Sequence, residues 1–241
     1  MRADLVVANA LNISRNKASE LIKESKISAD FIKITKPSDN IQNTAKITCD
    51  DEIYVSRGAI KLKGFLEFLA DCKMAPILEN KSALDIGAST GGFTQILLAN
   101  GVRCVECVDV GSCQLASIIK DDARVKAHEN TDIRDFALVC GDRFDIITAD
   151  VSFIGLQHII LSIDKLANDD IIMLFKPQFE VGKDAKRNKN GVVNDAAKIT
   201  LAKKAFKERV SALSWQLISE QSCSISGKEG NQEIFFYYKK G

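Results

Sequence analysis

Two charged residues close apolar runs in this chain. Asp150 follows Phe144–Ala149, and Lys176 follows Ile171–Phe175. A lysine is an odd way to end such a run on packing grounds, although a rim lysine can also snorkel to water. A lysine and a carboxylate at one rim could move a proton or stabilise a developing anion. The third feature is the run Leu84-Asp85-Ile86-Gly87-Ala88-Ser89-Thr90-Gly91-Gly92-Phe93-Thr94. Its spacing predicts a strand, a glycine-rich turn and a helix, and glycines let a backbone approach a ligand closely. Asp109 ends the next strand-like run, where a carboxylate can accept from ribose hydroxyls. Turn and acid together imply an adenosine-bearing cofactor. The alternative is a structural left-handed turn with an exposed Asp109.

Nicotinamide dinucleotides and S-adenosylmethionine both fit that description. Ser89 stands where a dinucleotide turn has its second glycine, the one that makes room for a pyrophosphate. Asp85 suits a cationic, amino-acid-bearing ligand better. The expected cofactor is therefore S-adenosylmethionine, held by Asp85, Gly87, Ala88, Ser89, Thr90, Gly91, Gly92, Phe93 and Asp109. Asn130, Thr131 and Asp132, after the third strand, and Asp150 complete the expected set.

The elements that must position these residues alternate. Strands are expected at Ser82–Asp85, Arg103–Asp109, Val125–Glu129, Phe144–Ala149 and Asp170–Phe175. Helices are expected at Phe93–Asn100, Ser112–Lys120, Leu156–Leu166 and Ala196–Leu213. Alternation of this kind predicts an α/β fold, a doubly wound and mostly parallel sheet with helices on both faces. The last two strands, near Gln216–Ser222 and Glu233–Tyr238, are expected to form an antiparallel hairpin at its edge. The first ~50 residues read as a small α+β unit. Ser14 caps a basic helix, Arg15–Lys26, with Ala18, Leu21 and Ile22 as its apolar stripe. A helix near Gly58–Cys72 bridges to the main body.

Lys plus Arg is 33 and Asp plus Glu 32, a net charge of +1, which excludes a uniformly basic coat but not a local basic face. Ten basic residues and four acids between Lys176 and Arg209 make that stretch net +6. Within it, residues 182–191 read as a mobile basic loop. Seven cysteines, an odd count, fit reduced thiols better than a disulfide framework. Cys104 and Cys107 lack the second pair a zinc site wants, so no metal is expected. No apolar run approaches the ~20 residues of a membrane span, and the start lacks a signal-peptide core. A cytoplasmic monomer that does not engage membranes is the expectation.

Four segments then resemble one family. They are Tyr54–Gly64, Gly87–Phe93, Asp150-Val151-Ser152-Phe153-Ile154 and Lys176-Pro177-Gln178-Phe179-Glu180-Val181-Gly182. In order and spacing they are similar to the TlyA family, which resembles FtsJ-type ribose methyltransferases and carries an N-terminal S4 RNA-binding domain. Arg2, Asp4, Ser14-Arg15, Ala18, Leu21-Ile22 and Lys36-Pro37-Ser38 resemble the S4 pattern. Ser25-Lys26 departs from it, where S4 units usually have a glycine after the helix. The resemblance implies an S4-like domain at 1–52, a linker at 53–60 and an FtsJ-like methyltransferase domain at 61–241. It also implies 2′-O-methylation of cytidine in ribosomal RNA. By the same resemblance the family's Lys-Asp-Lys-Glu tetrad falls on Lys61, Asp150, Lys176 and Glu233. Residues alone would not select Lys61 over Lys63, or Glu233 over Glu229.

On that reading Lys176 takes or polarises the 2′-hydroxyl proton, Lys61 stabilises the oxyanion, and Asp150 and Glu233 hold the lysines. RNA contacts are expected from Arg2, Arg15, Lys17, Lys23 and Arg57, and from Lys183, Lys186, Arg187 and Lys189. Three other readings stand beside it: an NAD-dependent oxidoreductase, a non-catalytic ribosome-assembly factor, and a haemolysin, a label this family sometimes carries. Members that modify both ribosomal subunits have short extensions at both ends. This chain starts near the S4 pattern and ends just after its last strand, so large-subunit RNA is the expected substrate.

Overall fold

A computed structural model describes every residue except Asn12 and Lys228. Asn12, in the approach to the first basic helix, and Lys228, in the approach to Glu233, lie outside the described residues. Two compact units emerge, Met1–Val55 with Ala116–Ile118, and Ser56–Leu115 with Ile119–Gly241.

The first unit holds α1 (Ala3–Ala10), α2 (Arg15–Lys23), β1 (Ile27–Ala29), β2 (Ile32–Ile34) and β3 (Ile47–Cys49). Its antiparallel sheet has the order β2-β1-β3. Ser14 caps α2, its side chain accepting from the Lys17 N–H at 3.2 Å. Ala18, Leu21 and Ile22 are buried as the periodicity predicts, packed with Val7 and Ile27. Ser25, at the departure from the S4 pattern, has φ +57, the left-handed region where glycine costs least.

The second unit holds α3 (Arg57–Asp71), β4 (Ser82–Ile86), α4 (Gly92–Ala99), β5 (Cys104–Val108), the second half of α5 (Ser117–Lys120) and β6 (Val125–His128). There follow α6 (Ile133–Val139), β7 (Phe144–Ala149), α7 (Ile160–Leu166), β8 (Ala167–Phe175), α8 (Pro177–Glu180), α9 (Ala196–Ser211), β9 (Gln216–Ser222) and β10 (Ile234–Lys239). Residues 57–60, placed in the linker from sequence, are the first turn of α3.

The seven-stranded sheet has the order β6-β5-β4-β7-β8-β10-β9, with β6 to β8 mutually parallel and β10 antiparallel to both neighbours. The final hairpin forms as expected, but β10 lies inside the sheet and only β9 is at the edge. Its composition explains this, since Ile234 to Tyr238 are all buried. Neighbouring residues on a strand face opposite ways. Phe235 stacks on Phe65 of α3 at 4.5 Å, while Phe236 meets Phe206 of α9 at 5.3 Å. Helices therefore cover both faces.

Two expected helices are broken up. The 112–120 run is helical only over Ser117–Lys120, and Cys113 has φ +54. The 156–166 run splits into a single 3₁₀ turn, Leu156–His158, and α7.

Candidate active site

The chain reverses its direction of travel across the sheet between β4 and β7, and such a switch point opens a crevice at the strands' carboxyl ends. Gly87 follows β4 and Asp150 follows β7, so both stand at this crevice. A Cβ on Gly87 would lie 2.8 Å from the Asp150 carbonyl oxygen, and Gly87 has φ +77. Only glycine fits there. Gly92 serves a different approach: a Cβ there would lie 2.8 Å from the Ala59 backbone nitrogen. Its absence lets the first turn of α3, which leads to Lys61, sit against the start of α4.

A cavity of about 380 Å³ occupies the crevice, lined among others by Gly87, Ser89, Asp109, Thr131, Asp132 and Asp150. A smaller one of about 180 Å³ shares Gly87, Ser89 and Asp150 with it and adds Ala88, Thr90, Gly92, Phe93 and Lys176. The Asp109 carboxylate is oriented by the Ser89 N–H at 2.8 Å and the Gly111 N–H at 2.7 Å. Ser89 has φ +48, and its hydroxyl donates to Gln114 Oε1 at 3.0 Å. Gln114 escaped the sequence reading, because nothing in its spacing marks it.

Three expected cofactor residues, Asp85, Asn130 and Gly91, line neither cavity. Asp85 is fully buried and does not line the cavity. Its Oδ2 accepts from the Thr94 N–H at 2.9 Å and hydroxyl at 2.6 Å, and its Oδ1 from the Thr148 hydroxyl at 2.9 Å. It ties α4 and β7 to β4 rather than facing a ligand. Burial pushes its carboxyl up to about 6, with the charge of Asp150 adding to the rise. Asn130 also lies off the cavity lining; it takes φ +52 and its N–H donates to the Gly111 carbonyl. Gly91, at φ +88, holds the start of α4 without lining either cavity. Asp132 lines the cavity and also caps α6, pairing with Arg134.

Next to the cofactor cavity lie two lysine–acid pairs. Lys176 Nζ is 2.6 Å from Asp150 Oδ1 and donates to Ser152 Oγ at 3.0 Å. Asp150 Oδ1 accepts no aligned hydrogen bond among the described residues, so its link to Lys176 is a charge contact. Lys61 Nζ donates to Glu233 Oε2 at 2.6 Å, both side chains buried. The register brings the pairs together: Ile234 opposes Phe175, so Glu233 and Lys176 stand one step beyond, at the same end of the ladder. Glu180 completes the surroundings. Its Oε1 accepts from the Leu156 N–H at 2.8 Å, joining the loop after Asp150 to the helix after Lys176, and burial pushes its carboxyl up to about 7.

The basic residues divide. Arg187 donates to the carbonyls of Gln178, Gly182, Lys183 and Ala185, so it staples the 182–191 loop. That loop also carries a bridge between Arg187 and Val193 and a small apolar cluster, Val181, Ala185 and Val193. The segment has no regular helix or strand, as expected of a loop, and these contacts brace it. Lys183, Lys186 and Lys189 are exposed on it. In the first unit, Arg2 and Arg15 both pair with the buried Asp4, each at 2.9 Å, which pulls that carboxyl down to about 2. Lys17 pairs with Glu20, and Lys23 is exposed. Arg57 donates to the Ser226 carbonyl.

Residues 54–240 match the model of the FtsJ-like methyltransferases. A Campylobacter jejuni protein named 23S rRNA (cytidine-2′-O)-methyltransferase TlyA is 42% identical, over 100% of both chains. The chain belongs to the TlyA family of FtsJ-like methyltransferases. A Mycobacterium tuberculosis TlyA, named for 16S and 23S rRNA, is 35% identical over 97% of this chain and 87% of that protein. A solved structure of a hemolysin-named Streptococcus thermophilus protein superposes with a TM-score of 0.69 at 28% identity, covering 100% of this chain and 88% of that one. A TlyA-family FtsJ-like domain implies S-adenosylmethionine as methyl donor. The crevice fits it: a volume within the roughly 300–1,000 Å³ of cofactor sites, a backbone approach at Gly87 and an oriented carboxylate at Asp109. Among the described residues no cluster of His, Cys, Asp and Glu could hold a metal ion, the seven cysteines are free, and no helix is long and apolar enough to cross a membrane.

Proposed function

We propose that this chain methylates the 2′-hydroxyl of a cytidine in ribosomal RNA, with 23S RNA of the large subunit as substrate. The observation that carries the reading is the pair of lysine–acid contacts beside the cofactor crevice, both lysines buried. The Campylobacter relative's name, at 42% identity over the whole chain, supports the choice of 23S RNA.

S-adenosylmethionine, when bound, supplies an electrophilic methyl on sulfur. What the site must add is a nucleophile, because a ribose hydroxyl is barely ionised at neutral pH. Lys176, held between Asp150 and Ser152, takes or polarises the hydroxyl proton. Lys61 stabilises the oxyanion, and Glu233 keeps Lys61 aimed and its charge balanced. Asp109, Thr131 and Asp132 hold the nucleoside end of the donor, and the turn from Gly87 to Phe93 shapes the wall beside it. In-line placement of hydroxyl and methyl supplies much of the rate. The Met1–Val55 unit acts as an S4-like RNA-binding domain through Arg2, Arg15, Lys17 and Lys23, with Arg57 near the site. Lys183, Lys186 and Lys189 contact phosphate. The enzyme works as a cytoplasmic monomer. The Mycobacterium relative's name favours a second reading, in which 16S RNA is methylated as well.

Mapping 2′-O-methylcytidines in both ribosomal RNAs, from strains with and without the gene, tests this. One gene-dependent site in 23S RNA is expected. Identical maps would overturn the reading, and a further 16S site would establish the second one.

A further inference from the structure

We propose that Phe31 is a stacking platform for an unpaired base of the RNA substrate. The proposal rests on the RNA-methylating function above.

Phe31 and Asp30 form the two-residue tip of the β1–β2 hairpin. Their φ angles are +69 and +46. Tight hairpins require the left-handed region at such positions, which Asn and Gly adopt at least cost. An aromatic residue there is strained. The ring gains nothing from burial in return: Phe31 is 85% exposed and the neighbouring Ile32 73%. The unit's apolar core, built on residues such as Leu21 and Ile27, does not include it. Strain and exposure coinciding at one side chain mark ligand-contacting positions.

The tip is rigid rather than frayed. The Lys46 N–H donates to Asp30 Oδ1 at 2.9 Å, and the Asp30 N–H donates to the Lys46 carbonyl at 3.0 Å. That exchange fixes the hairpin to the chain entering β3. It also brings the Lys46 ammonium 6.0 Å from the Phe31 ring centroid. Lys46 has no carboxylate partner among the described residues. A fixed aromatic ring beside an unpaired ammonium is the combination that holds single-stranded RNA, base on ring and phosphate on cation. A protein partner would call for a wider apolar area than two side chains.

The test uses the full chain and large ribosomal subunits from a strain lacking the gene. Phe31→Asn removes the ring while keeping a residue that tolerates the left-handed turn. Its thermal midpoint is expected to equal or exceed that of the parent, and its affinity for subunits to fall about tenfold or more. Phe31→Trp should restore binding, and its added indole fluorescence, taken against the parent's Trp215 signal, should be quenched as it stacks on a base. Lys46→Ala should lower the salt dependence of binding by about one phosphate contact, which Phe31→Asn should not. Unchanged affinity of Phe31→Asn would overturn the proposal. So would a blue-shifted, unquenched indole, which signals contact with protein instead. If the parent chain itself neither binds nor methylates the subunits, the function reading falls, and this inference with it.

Discussion

Lys61 Nζ lies 2.6 Å from Glu233 Oε2, although 172 residues separate them in the chain. One sits on α3, before the first strand of the large sheet, and the other just before the last strand. Both are buried, so each charge depends on the other. Breaking such a pair leaves an uncompensated buried charge.

Glu233→Ala should therefore cost stability, about 3–5 kcal/mol, as well as activity. Glu233→Gln, which keeps a hydrogen-bond acceptor, should unfold less readily than Glu233→Ala and still methylate poorly. Urea titration beside a methyl-transfer assay separates the two effects. Equal stability of Glu233→Ala and the parent would show that the pair is not formed in solution.

Lys176→Ala should reduce methyl transfer by about 10²- to 10⁴-fold, the usual contribution of a positioned acid–base group. Binding of S-adenosylhomocysteine, followed by calorimetry, should remain within a few fold. Near-normal methylation would remove Lys176 from the mechanism.

Gly87→Ala should damage both fold and cofactor site. The added Cβ meets backbone, the Asp150 carbonyl, and φ +77 disfavours a side chain besides. A loss of about 1–3 kcal/mol is expected, with weaker S-adenosylhomocysteine binding in calorimetry.

Arg187 and its lysine neighbours should behave oppositely. Arg187→Ala strips donors from four carbonyls and should lower the thermal midpoint. Replacing Lys183, Lys186 and Lys189 by alanine should leave the midpoint unchanged. It should weaken RNA binding and flatten its salt dependence by about one unit for each phosphate the loop no longer neutralises. The reverse pattern would exchange their roles.

Glu180 and Asp85 set a pH dependence. Burial raises the folded carboxyl of Glu180 from 4.5 to about 7 and that of Asp85 from 3.8 to about 6. Between the unfolded and folded values the native state binds more protons, so stability falls as pH rises through that window. For Glu180 the change is on the order of 3 kcal/mol. It is fully retained below pH 4.5 and lost above about 7. Glu180→Gln should flatten the stability profile over that range in urea titrations at stepped pH.

What the chain's residues determined by themselves was periodic or local. Apolar runs ending in charge at Asp150 and Lys176, the glycine turn, and the alternation of strand and helix follow from spacing alone. The sheet, the crevice and the glycine turn that walls it were legible from them. Ser14 as a helix cap was too. The partners were not. Residues give Asp85 the look of a ligand-facing acid, but Thr94 and Thr148 converge on it from α4 and β7 and use both its oxygens. Arg187 reads like its lysine neighbours until the loop folds back and turns four carbonyls toward it. Lys61 and Glu233 needed a family resemblance to be singled out, because α3 and β10 meet only once the sheet has closed over Phe235. Spacing along a chain decides which face a side chain takes, whereas contacts between distant segments decide whether its charge is spent on the fold or left for a ligand.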